Sequence, residues 1–333
     1  MQTADPLSRF RGRLRLPLIA APMFLVSGVE LVAAACTSGV IGAFPTVNCR
    51  SPDELDHWLL EIEARLRDTN AAPACPNLIV HRSNARLAAD LKVLLRHRCE
   101  LVITSVGSPA PVLKPLHEAG AIVLADVATI RHAERAIEAG ADGLVLLTAG
   151  AGGQTGWLNP FAFVRAVRAF FAGPIVLAGG ISDGWALRAA EVLGCDLAYM
   201  GTKFIATRES MADARYKQML VSSSADDVLL TTAFTGLQTN MLKPSIVAAG
   251  LDPDDLPARG AIDIASDIDI VAREARPKRW RDIWSAGHST SGVTDVPDVA
   301  ALVARSSAEY GGDHIRAGGG APGNGAARHL TRR

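Results

Sequence analysis

The chain has 333 residues, of which 49% are hydrophobic and 20% charged, which is enough apolar material for a large core. Lys plus Arg and Asp plus Glu both number 34, so the formal net charge is zero and nothing points to a nucleic-acid partner. The five cysteines are scattered without a C-x-x-C pair, and no two histidines have ligand spacing, which disfavours disulfides and metal sites.

Residues 16–26 form an apolar stretch after several arginines and superficially resemble a signal peptide. Pro17 and Pro22 interrupt the stretch, and no small-residue cleavage pattern closes it. No run approaches the roughly 18 apolar residues that a membrane span requires. We therefore expect a soluble, cytoplasmic protein with no membrane partner.

Eight short apolar runs predict strands, at residues 16–23, 40–46, 77–81, 101–106, 121–126, 143–149, 174–179 and 197–201. Each run is continuous rather than alternating, as is typical of parallel strands buried on both faces. Helical patterns follow them, at 27–38, 51–67, 83–97, 109–119, 129–139, 159–171, 182–193 and 296–310. This alternation predicts an α/β protein of the (β/α)8 TIM-barrel class; a doubly wound open sheet is the competitor.

Two helix starts carry recognisable signals. Ser27 with Glu30 three residues later predicts a capping box, and Ser51 followed by Pro52 predicts a second capped helix. After strand eight the pattern weakens. We predict a barrel over 1–207 and 280–310, a smaller and mainly helical substrate or lid insertion over 208–279, and a disordered tail over 311–333.

Loops seven and eight predict an anion site. Strand seven is followed by Gly179-Gly180, and strand eight by Gly201-Thr202. Glycines let the backbone approach a ligand closely, and a following helix N-terminus presents free N–H groups to an anion. These two loops commonly form the phosphate site of a barrel, although tight turns that serve packing alone are the alternative.

Loop six, residues 148–156, contains four glycines between positions 150 and 156. Such a loop cannot form a helix and is entropically expensive to order. We interpret it as backbone packed close to a flat ligand; a flexible linker is the alternative.

At these positions the chain resembles the nitronate monooxygenase (2-nitropropane dioxygenase) family, which includes FMN-dependent enoyl and quinone reductases. The resemblance extends over about residues 16–310. The matching motifs are Ala20-Ala21-Pro22-Met23, Asn77, Gly152-Gly153, Ala178-Gly179-Gly180-Ile181, Met200-Gly201-Thr202, Phe234-Thr235-Gly236 and Lys243-Pro244-Ser245-Ile246-Val247.

The resemblance implies a non-covalently bound FMN. It implies that Gly180 and residues 200–202 hold the phosphate, that Asn77 hydrogen-bonds the ring or ribityl region, and that Met23 lies against the isoalloxazine. A strand-entry role is the alternative for Asn77. The cofactor-binding residues it implies are Met23, Asn77, Gly152, Gly153, Gly179, Gly180, Met200, Gly201 and Thr202.

The chain departs from the family directly after the glycine pair of loop six, where members commonly carry a catalytic histidine. Here the residue is Gln154, and an amide does not titrate. Gln154 can still orient a substrate that arrives as an anion. We hypothesise that His288, just before the last helix, supplies the missing imidazole; a surface-loop histidine is the alternative. The candidates to hold the substrate charge are Lys203, Lys243 and Arg208, with solvated surface side chains as the alternative.

The resemblance therefore predicts an FMN-dependent oxidation of alkyl nitronates by O₂, a small-molecule reaction with Gln154 and His288 as catalytic candidates. The first alternative is an NAD(P)H-dependent flavin reductase acting on a quinone or an enone-like substrate. A flavin-binding protein without turnover is the second. Transient use of NAD(P)H and homodimer formation stay open at this stage.

Overall fold

Eight parallel strands close into a barrel in the computed structural model, which describes residues 5–256 and 282–312. The predicted (β/α)8 barrel is therefore confirmed. The strands are β1 (Leu18–Ala20), β2 (Ile41–Pro45), β3 (Ala74–Ile79), β4 (Leu101–Ser105), β5 (Ile122–Val127), β6 (Gly143–Leu147), β8 (Ile175–Ala178) and β9 (Leu197–Met200). The short strand β7 (Gly153–Gln154) lies outside the barrel, in loop six.

The strands agree with the eight apolar runs to within a few residues. The largest differences, of three residues, are at the end of β1 and at the start of β3. Strand β3 begins before the predicted residue 77 because Pro76 is accommodated within the strand, opposite Phe44 of β2. Its last residues still place Asn77 near the carboxyl end of the barrel.

Helices follow the strands at the predicted positions and cover the outside of the barrel. They are α1 (Val29–Thr37), α2 (Pro52–Leu66), α3 (Leu87–Arg96), α4 (Ala110–Glu118), α5 (Ile130–Ala139), α6 (Pro160–Arg168), α7 (Gly184–Leu193) and α11 (Val299–Gly311). Among these described helices, none is both long and apolar enough to cross a bilayer.

One of the two predicted helix caps is wrong. Ser51 does cap α2, since its hydroxyl accepts a hydrogen bond from the Glu54 N–H at 3.1 Å. Helix α1 begins instead after Gly28, without a side-chain cap. The Ser27 hydroxyl is already used by the loop after β1, where it accepts from the Met23 N–H and donates to the Ala21 carbonyl.

The lower end of the barrel is sealed by a 3₁₀ helix, Pro6–Arg13, which precedes the first strand. Its Leu7 and Phe10 are buried in one cluster with the lowest inward-facing residues of the strands, such as Leu101 and Ile122. The Arg13 guanidinium pairs with the Glu100 carboxylate at 2.9 Å, which fixes the helix to the start of β4.

The segment after β9 adds a small antiparallel sheet to the upper end. It contains α8 (Thr202–Ile205), α9 (Ala214–Ser222), β10 (Val228–Thr231), β11 (Thr239–Leu242) and α10 (Lys243–Ala248). Strand β11 pairs with both β10 and β7, so the two strands, which the sequence pattern missed, are tied to loop six. The predicted insertion and tail continue beyond residues 256 and 312, outside the described residues.

Candidate active site

A cavity of about 240 Å³ opens at the upper end of the barrel. Its floor follows from strand geometry, because residues two apart in a strand face the same side. In β5, Ile122 and Leu124 lie in the barrel interior and Asp126 comes next, at the cavity. The same two-residue alternation in other strands places further polar residues at the cavity. We call Asn77, Ser105, Asp126 and Tyr199 the floor.

The polar side chains of the floor form few hydrogen bonds with the rest of the protein. The Ser105 hydroxyl donates to Asn77 Oδ1 at 3.2 Å. Asn77 Nδ2, Asp126 Oδ1 and Tyr199 Oη are buried, and none has a hydrogen-bond partner among the described residues. Buried polar atoms are paired in the large majority of cases, so three orphans on one surface indicate a ligand that completes them.

The electrostatic character of the floor is set by burial. Loss of hydration raises the pKa of Asp126 to about 8, so its carboxyl group is largely protonated at neutral pH. Burial also raises the pKa of Tyr199 well above its usual value, and Asp126 adds to that rise. Among the lining residues that the structure describes, none is Lys, Arg or His. The cavity is therefore close to neutral at pH 7.

Loops seven and eight meet on one side of the cavity. Gly179, Gly180, Gly201 and Thr202, which we call the phosphate cradle, all line it. Gly180 has φ of +76° and open space where a Cβ would lie. Within the described residues, the N–H groups of Gly180, Gly201 and Thr202 donate no hydrogen bond. They are thus free to bind an anion, as predicted for a phosphate site.

The helix after loop seven contributes less than expected. The sequence suggests that the N-terminus of α7 offers free N–H groups to the anion. Instead the Asp183 carboxylate accepts from the Ala186 N–H at 2.8 Å, and the Glu309 carboxylate accepts from the Gly184 N–H at 2.9 Å. Two carboxylates already occupy this helix end, so it offers an anion fewer free N–H groups than the sequence predicts.

Loop six has glycines for a reason that sequence did not reveal. A Cβ on Gly152 would lie 2.7 Å from the Gly287 nitrogen, and one on Gly150 would lie 2.9 Å from His288 Nδ1. The loop is therefore packed against the segment before α11, with the His288 N–H donating to the Gly150 carbonyl at 2.9 Å. Gly150 and Gly152 line the cavity as well, so these two glycines serve both contacts.

Gln154 faces the cavity from a rigid position. As part of β7 it pairs with Thr239 of β11, and the Thr155 N–H donates to the Gln238 carbonyl at 3.1 Å. The Asn240 amide secures the same loop through the Ala151 carbonyl, at 2.7 Å. The Gln154 side chain is half-buried and forms no hydrogen bond with the described residues, so its amide is available to a ligand.

An aromatic pair forms another wall of the cavity. Tyr216 and Trp284 are stacked, with ring centroids 5.0 Å apart and planes inclined by 9°. The Tyr216 hydroxyl donates to the Ser285 carbonyl, which fixes the ring. Both residues line the cavity, together with apolar side chains such as Val26, so this wall suits a planar or apolar ligand.

Comparison with known proteins agrees with this geometry. The family model for nitronate monooxygenase matches residues 60–305, which is most of the chain.

The chain belongs to the nitronate monooxygenase family. A nitronate monooxygenase of Paraburkholderia phytofirmans is 28% identical over 278 residues, covering 71% of this chain and 76% of that protein. A bicyclic carboxyl-CoA dehydrogenase of Mycobacterium tuberculosis, (3aS,4S,5R,7aS)-5-hydroxy-7a-methyl-1-oxo-octahydro-1H-indene-4-carboxyl-CoA dehydrogenase, is 26% identical over 74% of this chain and 68% of that protein.

Solved structures confirm the fold. FabK from Thermotoga maritima superposes with a TM-score of 0.74 at 21% identity, covering 93% of this chain and 96% of that one. A nitroalkane oxidase from Streptomyces ansochromogenes superposes with a TM-score of 0.72 at 23% identity, over 92% and 98%. The family model and the nitronate monooxygenase relative confirm the predicted family and enzyme class: this family member is a flavin-dependent oxidoreductase.

The residues present fit a flavin. The phosphate cradle offers backbone donors and an open position at Gly180, and the floor offers unpaired polar atoms to a heterocycle. The cavity brings together eight of the nine residues predicted to bind the cofactor. These eight are Met23, Asn77, Gly152, Gly153, Gly179, Gly180, Gly201 and Thr202.

The remaining cofactor candidate, Met200, lies in the core between the strands and helices, so its side chain does not line the cavity. His288 is exposed and does not line it either, so this placement gives no support to a base role for its imidazole. The predicted cationic partners also point elsewhere: Lys203 donates to the Gly292 carbonyl, and Lys243 to the Asp226 carbonyl at 2.9 Å.

Several lining residues escaped the sequence analysis. Asp126 ends a predicted barrel strand, and an acid at that position was a usable signal because the carboxyl ends of the strands form the active site. Tyr199 needed the strand register as well, since its inward direction depends on one residue of offset. Tyr216 and Trp284 carry no local signal and reach the cavity only through the fold.

Proposed function

We propose that the chain binds FMN in this cavity and uses it to oxidise alkyl nitronates with O₂. One observation carries the substrate choice. Gln154 lines the cavity at the loop-six position, and no lysine, arginine or histidine stands beside it among the described lining residues. At neutral pH the cavity therefore contains no strong base, and a substrate that is already an anion suits it best.

The phosphate cradle would hold FMN by its phosphate through the N–H groups of Gly180, Gly201 and Thr202. The Thr202 hydroxyl accepts from the Gly287 N–H at 2.9 Å, and its own hydrogen remains available to the phosphate. When bound, the flavin supplies the redox chemistry, as cofactors do in general.

The protein's own part is to orient the substrate and restrict water. The Gln154 side chain can donate two hydrogen bonds through its NH₂ group to the oxygens of a nitronate. Its backbone pairing with Thr239 limits the positions that the amide can take. Tyr216 and Trp284 cover the apolar part of the substrate and exclude water from the cavity.

The test is oxygen uptake with propyl-2-nitronate and with its neutral acid, 2-nitropropane. General-base catalysis contributes about 10²–10⁴-fold, so an enzyme without a base should prefer the anion by about 100-fold or more in kcat/KM. Gln154→His restores a titratable group and should raise turnover of the neutral nitroalkane by about tenfold to 100-fold. Gln154→Asn, which shortens the amide without adding a base, is the matched control.

The same assays also distinguish nitronate oxidation from the alternative functions. Equal rates on the two forms would show that a base operates in the wild type and would contradict the proposal. Oxidation of NAD(P)H without oxygen, coupled to reduction of a quinone or an enone, would favour the flavin reductase. A flavin that stays oxidised with every donor would indicate binding without turnover.

A further inference from the structure

Asp126 has no role in the reaction as proposed, yet it lies on the cavity floor. It is an ionisable residue inside the upper layer of the barrel, and its carboxyl group makes no hydrogen bond with the described residues. An unpaired buried polar group costs about 1–3 kcal/mol, more if it is charged. A residue of this kind persists where a ligand completes it.

The floor residues do not satisfy one another. Asp126 and Tyr199 are close enough for the carboxyl charge to influence the hydroxyl, but both Oδ1 and Oη lack a partner. Asn77 uses only its oxygen, which accepts from Ser105 at 3.2 Å, and leaves Nδ2 unpaired. The three orphan atoms therefore all remain for a molecule in the cavity.

The surroundings of Asp126 favour its neutral form. The ionisable groups facing it are Cys75 from β3 and Tyr199 from β9, and both are themselves neutral because burial raises the pKa of each well above its usual value. Tyr216, which also lines the cavity, donates its hydroxyl hydrogen to the Ser285 carbonyl. No cation lines the described part of the cavity to hold a carboxylate.

Three donors then face the cavity from one surface: an amide NH₂, a phenolic O–H and a carboxylic O–H. The ligand that matches them is a planar heterocycle whose edge carries carbonyl oxygens and unprotonated ring nitrogens. The floor lies beside the phosphate cradle in the same cavity, so both can contact a single flavin nucleotide.

We propose that Asp126, with Asn77 and Tyr199, forms a neutral floor for the isoalloxazine ring, and that the Asp126 carboxyl group donates a hydrogen bond to an acceptor atom of that ring. This rests on the proposed function only in that FMN is the ligand. It predicts that raising the pH removes the proton on which part of the binding depends.

The experiment measures the Kd of FMN for the apoprotein by flavin fluorescence between pH 6 and 9.5. Wild type should bind with nearly constant Kd up to about pH 7.5, and the Kd should then rise by about tenfold relative to Asp126→Asn. The Asn variant keeps a donor of the same shape and cannot ionise, so its profile should lack this rise. At pH 6.5 it should bind within about threefold of wild type.

Asp126→Ala removes the donor, and one hydrogen bond is worth about 0.5–1.5 kcal/mol, so its Kd at pH 6.5 should be about threefold to tenfold higher. Asp68→Asn, on the exposed surface, is the charge-matched control and should behave as wild type. Changes in the ionisation of FMN itself affect every variant equally and cancel in the comparison.

Two results would overturn the inference while leaving the proposed function intact. Identical pH profiles for wild type and Asp126→Asn would mean that the carboxyl group does not touch the flavin. An affinity that rises with pH in wild type alone would mean that the group accepts a hydrogen bond as a carboxylate. Failure of wild type to bind FMN at pH 6.5 would instead remove the proposed function, and this inference with it.

Discussion

The two ends of the same barrel differ in whether they contain polar atoms without hydrogen-bond partners. At the lower end, Leu101, Ile122 and Leu197 pack with Leu7 and Phe10 of the sealing helix into an entirely apolar layer. At the upper end, four residues after Leu101 and Ile122 in the same two strands, Ser105 and Asp126 form part of a polar floor with unpaired atoms. One end contributes stability, and the other retains unsatisfied groups that a ligand can use.

The largest effect that this comparison predicts is on stability. Phe10→Ala removes a fully buried ring from the lower layer and should decrease the free energy of unfolding by about 3–5 kcal/mol. FMN affinity at a temperature where the variant is folded should change less than about threefold. Phe161→Ala, at an exposed position of α6, is the control. If it destabilises the protein equally in thermal unfolding, the lower layer does not contribute more to stability than the surface does.

The next effect is on cofactor binding at the upper end. Gly180→Asp places a carboxylate in the phosphate cradle and should weaken FMN binding by about 100-fold or more in a fluorescence titration, because like charges repel. Gly120→Asp is matched, since Gly120 also has a left-handed backbone, with φ of +84°, and open space for a side chain. Riboflavin, which lacks the phosphate, should be bound almost equally by wild type and Gly180→Asp. Weak FMN binding by both aspartate variants would point to backbone strain instead.

A smaller effect concerns how the stability of the apoprotein depends on pH. The folded-state pKa of Asp126 is raised to about 8 from about 3.9 in the unfolded chain, so the folded state binds the extra proton between these values. Wild type should therefore lose stability as the pH rises from about 4 to 8. Asp126→Asn should exceed wild type in Tm by a few degrees at pH 8.5 and by less at pH 5. A constant difference in Tm would show that the group ionises normally.

The smallest expected effect is at His288. Its imidazole is exposed and outside the cavity, although its backbone holds loop six. His288→Ala keeps that backbone contact and should change kcat/KM for a nitronate by less than about twofold. A loss of 100-fold or more in steady-state oxygen uptake would reinstate the histidine as a base.

The barrel itself could be predicted from sequence because its signals are local. Continuous apolar runs mark buried parallel strands, and glycines mark the loops where the backbone must approach something closely. The phosphate cradle followed from these rules and from the family resemblance. Ser51 likewise marked a helix start by its own hydrogen bond.

What could not be predicted depends on contacts between distant segments. The two carboxylates at the start of α7 include Glu309 from the last helix, more than 100 positions away in the chain. The glycines of loop six are required partly by residues 286–288, and the outward placement of His288 follows from the same packing. Strand β11 was missed because four residues with little periodicity become a strand only when β7 and β10 lie on either side.

The pairing of β7 with β11 has a consequence for how the enzyme can change over evolutionary time. Gln154 is held in place by its main chain, through Thr239, while its side chain is free of protein contacts among the described residues. A different residue can therefore appear there without disturbing the fold. Such a position lets a lineage exchange one chemistry for another by a single codon change, while the rest of the pocket stays as it is.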